Sequence, residues 1–280
     1  MKIEKLLLTG GGGLVGSILT PMLKEKYAVT HFDMKPVGDG LPCIEGDLRD
    51  RDAVGKACQG MDAVLHIGAL HGPAWKQCGD DMGFDVNVTG TKNILEAAAA
   101  AGVQRVVFAS SIWATGHNAP AAPYLPIDEE LPREPAEMYG LTKILCEKMC
   151  RYATATNGLS TIVIRPGGIG RPDAYAPDAL RYALGMVDVR DVAQACVLAL
   201  EAPEEMRHEV FIITADSPLC AVDGDAFRRD PLAAVEAALP ALAEKVRKGE
   251  LELNAGMEWY TIEKAKRLLG YEPEYNFQAE

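Results

Sequence analysis

Short apolar runs alternate with stretches of helical spacing along most of this chain. Leu6, Leu7 and Leu8 form the first run, which breaks into Thr9 and four glycines and resumes over residues 14–26 with Leu14, Ile18 and Met22 on one helical face. Residues 28–32 and 62–67 read as strands, 43–47 as the end of a short strand, and Asp50 as the cap of a helix running to Cys58. A long helix is predicted over 80–101, with Phe84, Val88 and Leu95 along one side and Gly102 as its stop. Strands follow at 104–109, 160–165 and 209–214, and helices at 136–156, 192–201, 231–248 and 261–269. Apolar strands alternating with helices predict an α/β fold, a parallel sheet covered on both faces.

The break after the first strand carries the first chemistry. Gly11-x-Gly13-x-x-Gly16 and Gly10-x-x-Gly13-x-x-Gly16 are both dinucleotide spacings, with Leu14 and Val15 opening the helix behind them. Residues without Cβ let backbone N–H groups approach a pyrophosphate at a helix N-terminus. A mononucleotide loop needs a lysine after its last glycine, and Ser17 stands there. Asp33 lies twenty residues after Gly13, where a carboxylate takes adenosine ribose hydroxyls and repels a 2′-phosphate. NAD is therefore expected over NADP, although Lys35 is close enough in sequence to reach a phosphate.

Composition narrows the partners. The 280 residues fit one large α/β unit with a small appendage. A net charge of −12 argues against nucleic acid or an anionic membrane as the main partner. Met1 to Lys5 lead straight into the first strand without a secretory signal, and no apolar stretch reaches the roughly 20 residues of a membrane span, so a cytoplasmic location is expected. Seven scattered cysteines without a C-x-x-C pair suggest neither disulfides nor a metal site, and Cys146 and Cys150 read as small apolar residues of one helical face.

Tyr139 and Lys143 are four apart on a predicted helix and share a face. A phenol is a poor base at neutral pH, but a nearby ammonium and an oxidised nicotinamide would favour its phenolate. Ser111 falls at the C-terminal end of the fifth strand, where open α/β sheets bind ligands, and its hydroxyl can bond a substrate carbinol oxygen. The long Pro- and Ala-rich segment 112–137 reads as a functional loop.

In these motifs the chain resembles the extended short-chain dehydrogenase/reductases, the family of sugar epimerases and dehydratases. The resemblance runs through Thr9-Gly10-x-x-Gly13-x-x-Gly16, Asp33, Gly46-Asp47-Leu48, His66-Ile67-Gly68-Ala69, Asn87-Val88-Thr89-Gly90-Thr91, Ser110-Ser111, Tyr139-x-x-x-Lys143, Arg165-Pro166 and Val189-Arg190-Asp191-Val192. It implies a Rossmann-type doubly wound sheet, with an NAD-binding core over 1–165 and the remaining core elements plus a small substrate-binding region over 166–280. It also implies a catalytic Ser111, Tyr139 and Lys143, with Lys143 holding the nicotinamide ribose. Asp47 and Leu48 would flank the adenine, Gly68 and Ala69 line the cofactor cleft, and Asn87 lie near the cofactor. A homodimer through helices 80–101 and 136–156 is implied as well.

Only about twenty residues separate Pro166 from Val187, too few for the subdomain that nucleotide-sugar members build there. The short form looks more like the uronate dehydrogenases, with Arg181 near the position of their carboxylate-gripping arginine. Their Asn-His pair after the serine is replaced by Ile112-Trp113, which brings Trp113, and by topology His71, into the expected substrate site. His117 reads as loop polarity, and Arg171 and Asp128-Glu129-Glu130 as solvated. The expected activity is NAD-dependent oxidation of a free sugar, sugar acid or polyol. The alternatives are a redox-neutral epimerase and a cofactor-sensing regulator without turnover.

Overall fold

The computed structural model describes residues 1–116, 121–132, 134–171 and 180–277. Strand β1 (Lys5–Thr9) leads through the glycine turn into helix α1 (Leu14–Leu23), followed by β2 (Ala28–Asp33), β3 (Cys43–Glu45), α2 (Arg51–Cys58) and β4 (Ala63–His66). Next come α3 (Gly72–Phe84), α4 (Gly90–Ala101), β5 (Arg105–Ala109), α5 (Met138–Asn157) and β6 (Ser160–Pro166). A two-stranded parallel pair, β7 (Gly168–Gly170) with β8 (Met186–Asp188), precedes α6 (Val189–Glu201) and β9 (His208–Ile213). Helices α7 (Gly224–Arg229), α8 (Pro231–Ala238), α9 (Pro240–Arg247) and α10 (Glu263–Leu269) complete the described chain.

Seven strands pair in parallel in the order β3-β2-β1-β4-β5-β6-β9. The order reverses between β1 and β4, so the turn after β1 opens at the crevice where such sheets take ligands. Leucine alternation in β1 explains the two covered faces. Leu6 and Leu8 join a cluster with Leu19, Leu23, Cys196 and Leu200, whereas Leu7 joins one with Val54, Ile94, Cys146 and Cys150 on the opposite side. A third cluster around Trp259, Phe227, Leu242 and Tyr182 forms the core of the C-terminal region.

Several elements differ from the sequence expectation. Helix α1 ends at Leu23 and buries Gly16, Leu19, Thr20 and Leu23, leaving Met22 41% exposed. Gly16 packs directly on the glycine turn, and Val15 and Ile18 are half-buried against the core. The helix predicted over 80–101 is three pieces. Gly79 takes φ +83° and kinks α3, a π-helical turn spans Asp85–Thr89, and α4 follows; Phe84 is 39% exposed, while Leu95 is buried.

The helix predicted over 231–248 divides at Leu239–Pro240, because proline cannot donate to the preceding turn. The pair β7–β8, helix α7 and a 3₁₀ turn at Ile112–Thr115 lie where loops were expected. Glu129 is not solvated as expected: it is partly buried, its Oε1 accepts from Ile212 N at 2.8 Å, and burial raises its carboxyl pKa.

Arg105 is the most unusual buried group. Fully buried at the start of β5, it donates to Leu200 O (3.2 Å), Ala202 O (2.5 Å), Pro203 O (2.8 Å) and Met206 O (3.3 Å), and to Ser160 Oγ at 3.1 Å. It thereby closes the C-terminal end of α6, where carbonyls and the helix dipole both favour a cation. Arg105→Met should leave those carbonyls unsatisfied and lower stability by about 3 kcal/mol, read as a fall in the urea midpoint.

Candidate active site

The glycine turn is held by contacts that admit no side chain. Gly10 takes φ +74°, and a Cβ there would lie 2.7 Å from Gly68 Cα; one on Gly16 would lie 2.5 Å from Gly11 O. The N-terminus of α1 therefore sits directly on the turn, with Gly13 as its N-cap and no acidic residue in its first turn. At the end of β2, Asp33 Oδ2 accepts from Gly12 N at 3.1 Å and Oδ1 from Lys35 N at 3.4 Å. A cradle without Cβ atoms, a helix N-terminus and an adjacent carboxylate are the donor set that a dinucleotide fits.

The other expected cofactor positions separate into two kinds. Gly10, Gly13, Leu14, Val15, Gly16 and Ala69 line a cavity of about 530 Å³. Gly68 packs against Gly10 and its N–H donates to Thr9 Oγ1 at 3.1 Å. Asp47 is gripped by Arg49, with Nη2 to Oδ2 at 2.6 Å, and this partner lowers its pKa; Leu48 packs against Gly90. Asn87, in the π turn, is buried and bonds both backbone groups of Leu70 (2.8 and 3.1 Å) and Thr142 Oγ1 (3.3 Å). It ties the loop after β4 to α5.

Opposite the glycine turn, the same cavity is walled by Ser111, Tyr139 and Lys143, together with His71, Trp75, Trp113 and Glu137. Lys143 is buried on the first turns of α5, and its Nζ donates to Ala109 O at 2.8 Å and lies 5.7 Å from the centre of the Tyr139 ring. Desolvation brings its pKa down to about 8. Burial drives Tyr139 the other way, above its ordinary value; Glu137 adds to the rise, and a hydrogen bond with Ser111 opposes it. Burial is the largest of these influences on the phenol. Ser111 Oγ also accepts from Trp113 N at 3.2 Å, which fixes the hydroxyl at the start of the 3₁₀ turn.

Behind these groups lies a buried network that the sequence reading missed. Glu147, one helical turn past Lys143, accepts from Ser110 Oγ at 2.5 Å and from Arg165 Nε and Nη2 at 2.9 and 2.7 Å. Its signal was an acid four residues after Lys143 and an arginine ending an apolar strand. Glu137, whose Oε1 accepts from Gly140 N at 2.8 Å as the N-cap of α5, and Trp75, whose ring meets Tyr139 edge-on at 5.6 Å, were also missed. Nothing in the sequence singled out Trp75.

The expected substrate residues do not all converge. His71 precedes α3 and lines the cavity; burial and the charge of Lys143 lower its pKa. Trp113 lines this cavity and a neighbouring one, and Arg181 lies in the neighbour with Gly168, Glu258 and Tyr260. Arg171 is exposed, and His117 lies outside the described residues.

Residues 6–172 match the family described as NAD dependent epimerase/dehydratase. A uronate dehydrogenase of Pseudomonas putida is 32% identical over 205 residues, 71% of this chain and 72% of that protein. A 3β-hydroxysteroid dehydrogenase/Δ5→4-isomerase of Mycobacterium tuberculosis is 32% identical over 181 residues, 60% of this chain, but the chain spans only 48% of its length. A short-chain dehydrogenase/reductase superfamily protein of Agrobacterium tumefaciens, solved with bound NAD, is 28% identical and superposes with a TM-score of 0.73 over 98% of this chain and 93% of that one.

Two outcomes are expected. Asp33→Ala should weaken NADH binding and narrow its advantage over NADPH about tenfold or more, measured by fluorescence titration with both nucleotides; an unchanged ratio would mean that another residue reads the ribose. His66 is buried between Thr9 Oγ1 (2.8 Å) and Thr91 Oγ1 (3.0 Å), and burial lowers its pKa from 6.5 to about 3. The unfolded chain therefore binds a proton below pH 6.5 that the folded chain refuses, and stability present above pH 6.5 is lost as pH falls. That loss should be about 2 kcal/mol between pH 7.5 and 5.0 in urea unfolding, and a His66→Gln variant should lack this part of it.

Proposed function

Because the chain belongs to the NAD-dependent epimerase/dehydratase family, we propose that it oxidises a hydroxyl of a free sugar, sugar acid or polyol, with NAD as acceptor. The observation that carries this reading is the meeting of Ser111, Tyr139 and Lys143 on one wall of the cavity whose other wall is the glycine turn. The short connection between Pro166 and Val187 supports a substrate without a nucleotide, and the likeness to a uronate dehydrogenase supports a free sugar-type alcohol.

The glycine turn, the N-terminus of α1 and Asp33 would hold the dinucleotide. When bound, NAD supplies the hydride acceptor. Ser111 orients the substrate hydroxyl and shares a hydrogen bond with Tyr139, which takes the hydroxyl proton as general base. Lys143, anchored by Ala109 O, keeps a positive charge beside that ring below about pH 8 and so favours the phenolate that burial alone disfavours. Trp75 and Trp113, both edge-on to Tyr139, shield the ring from water.

Absorbance at 340 nm with NAD, then NADP, against free uronic acids, aldoses and polyols tests the reading; sugar interconversion without net NADH would favour the epimerase. Tyr139→Phe should keep NADH binding near wild type while lowering turnover by roughly 10²- to 10⁴-fold, since only the proton acceptor is lost. Wild-type turnover in that variant would remove Tyr139 from the mechanism.

A further inference from the structure

Two side chains beside Tyr139 neither give nor take the proton. Trp75 is half-buried in α3, and its Nε1 donates to Asp80 Oδ1 at 3.0 Å. Its ring lies on Gly83, where a Cβ would come within 2.5 Å of Cε3. The hydrogen bond and the missing Cβ together lock one indole orientation, which lines the cavity next to the reacting groups.

Glu137 lines the same cavity from the start of α5. Its carboxylate accepts from the backbone N–H groups of Gly140 and Tyr139. A carboxylate offers about four lone-pair positions, so capacity remains for hydroxyl donors. Burial raises the pKa of Glu137 and the neighbouring Asp80, which also holds the Trp75 Nε1, raises it further, so two carboxylates stand together on this side. Two cations share this wall: Lys76 is exposed at the rim, where solvent and salt screen it, and Lys143 Nζ is committed to Ala109 O beside the Tyr139 ring. Arg181 belongs to the neighbouring cavity.

We propose, resting on the oxidation reading above, that Trp75 and Glu137 form a subsite for an uncharged polyhydroxylated ring and discriminate against sugar acids. The C–H face of the ring lies on the indole, whose negative face attracts it, and neighbouring hydroxyls donate to Glu137. A substrate carboxylate placed there meets a like charge in a partly desolvated wall, which disfavours it about tenfold or more.

The test compares aldoses with the uronic acids that differ from them only at the terminal carbon, the glucose, galactose and mannose pairs, by saturation-transfer NMR on the NAD-loaded protein. Wild type should bind at least one aldose about tenfold more tightly than its uronate. Glu137→Gln, which keeps an acceptor for Gly140, should improve uronate binding about tenfold. Trp75→Ala should weaken the aldose about tenfold, and Trp75→Phe should recover most of that loss. All three variants should leave NADH affinity unchanged. Equal or tighter binding of every uronate, absence of binding by any pair, or variants that leave both ligands unaffected would overturn the subsite. NADH formation followed in the same samples separates the two readings: discrimination without oxidation sinks the oxidation reading alone, and oxidation without discrimination sinks the subsite alone.

Discussion

One buried ion pair sets the geometry on which the site depends. Glu147 on α5 is bonded twice by Arg165 on β6 and once by Ser110 at the end of β5, all in the protein interior. Ser111 follows Ser110 directly, and Lys143 precedes Glu147 by one turn of α5. The distance between strand end and helix is thus fixed by charge-assisted bonds rather than by apolar packing alone, and a partner left alone there would be a buried charge without compensation. Lys143 Nζ to Ala109 O is the second bolt across the same gap.

Low polarity around that gap ties the electrostatics together. Burial raises the pKa of Tyr139 and lowers those of Lys143 and His66, so desolvation favours the neutral form of all three. A positive charge entering this site would oppose the shift that burial gives the phenol. The same desolvation strengthens electrostatic interactions made inside the cleft.

The central architecture was legible because each feature has a local cause. Leu6 to Leu8, the glycines and Asp33 follow from strand burial, backbone approach and ribose chemistry, and all three stand where the pattern put them. Tyr139 and Lys143 share a helical face by spacing alone. The misses are tertiary. Gly79 leaves a helical conformation and a π turn spans Asp85–Thr89 around Asn87, and no apolar periodicity records either. Glu129 sits in an acidic run yet is drawn inward by Ile212 N. Trp75 reaches Tyr139 only because α3 begins eight residues before the predicted start and Gly83 lacks a side chain.

The position of β1 in the sheet has a consequence for synthesis of the chain. β1 carries three consecutive buried leucines and lies inside the sheet, bonded by β2 on one side and β4 on the other. Thr9 and its partner across the second side, His66, are 57 positions apart. At ribosomal rates of about 5–20 residues per second, Leu6, Leu7 and Leu8 wait roughly 3 to 11 seconds for that edge to be covered. Until then the uncovered edge of β1 is an open template for pairing with other chains.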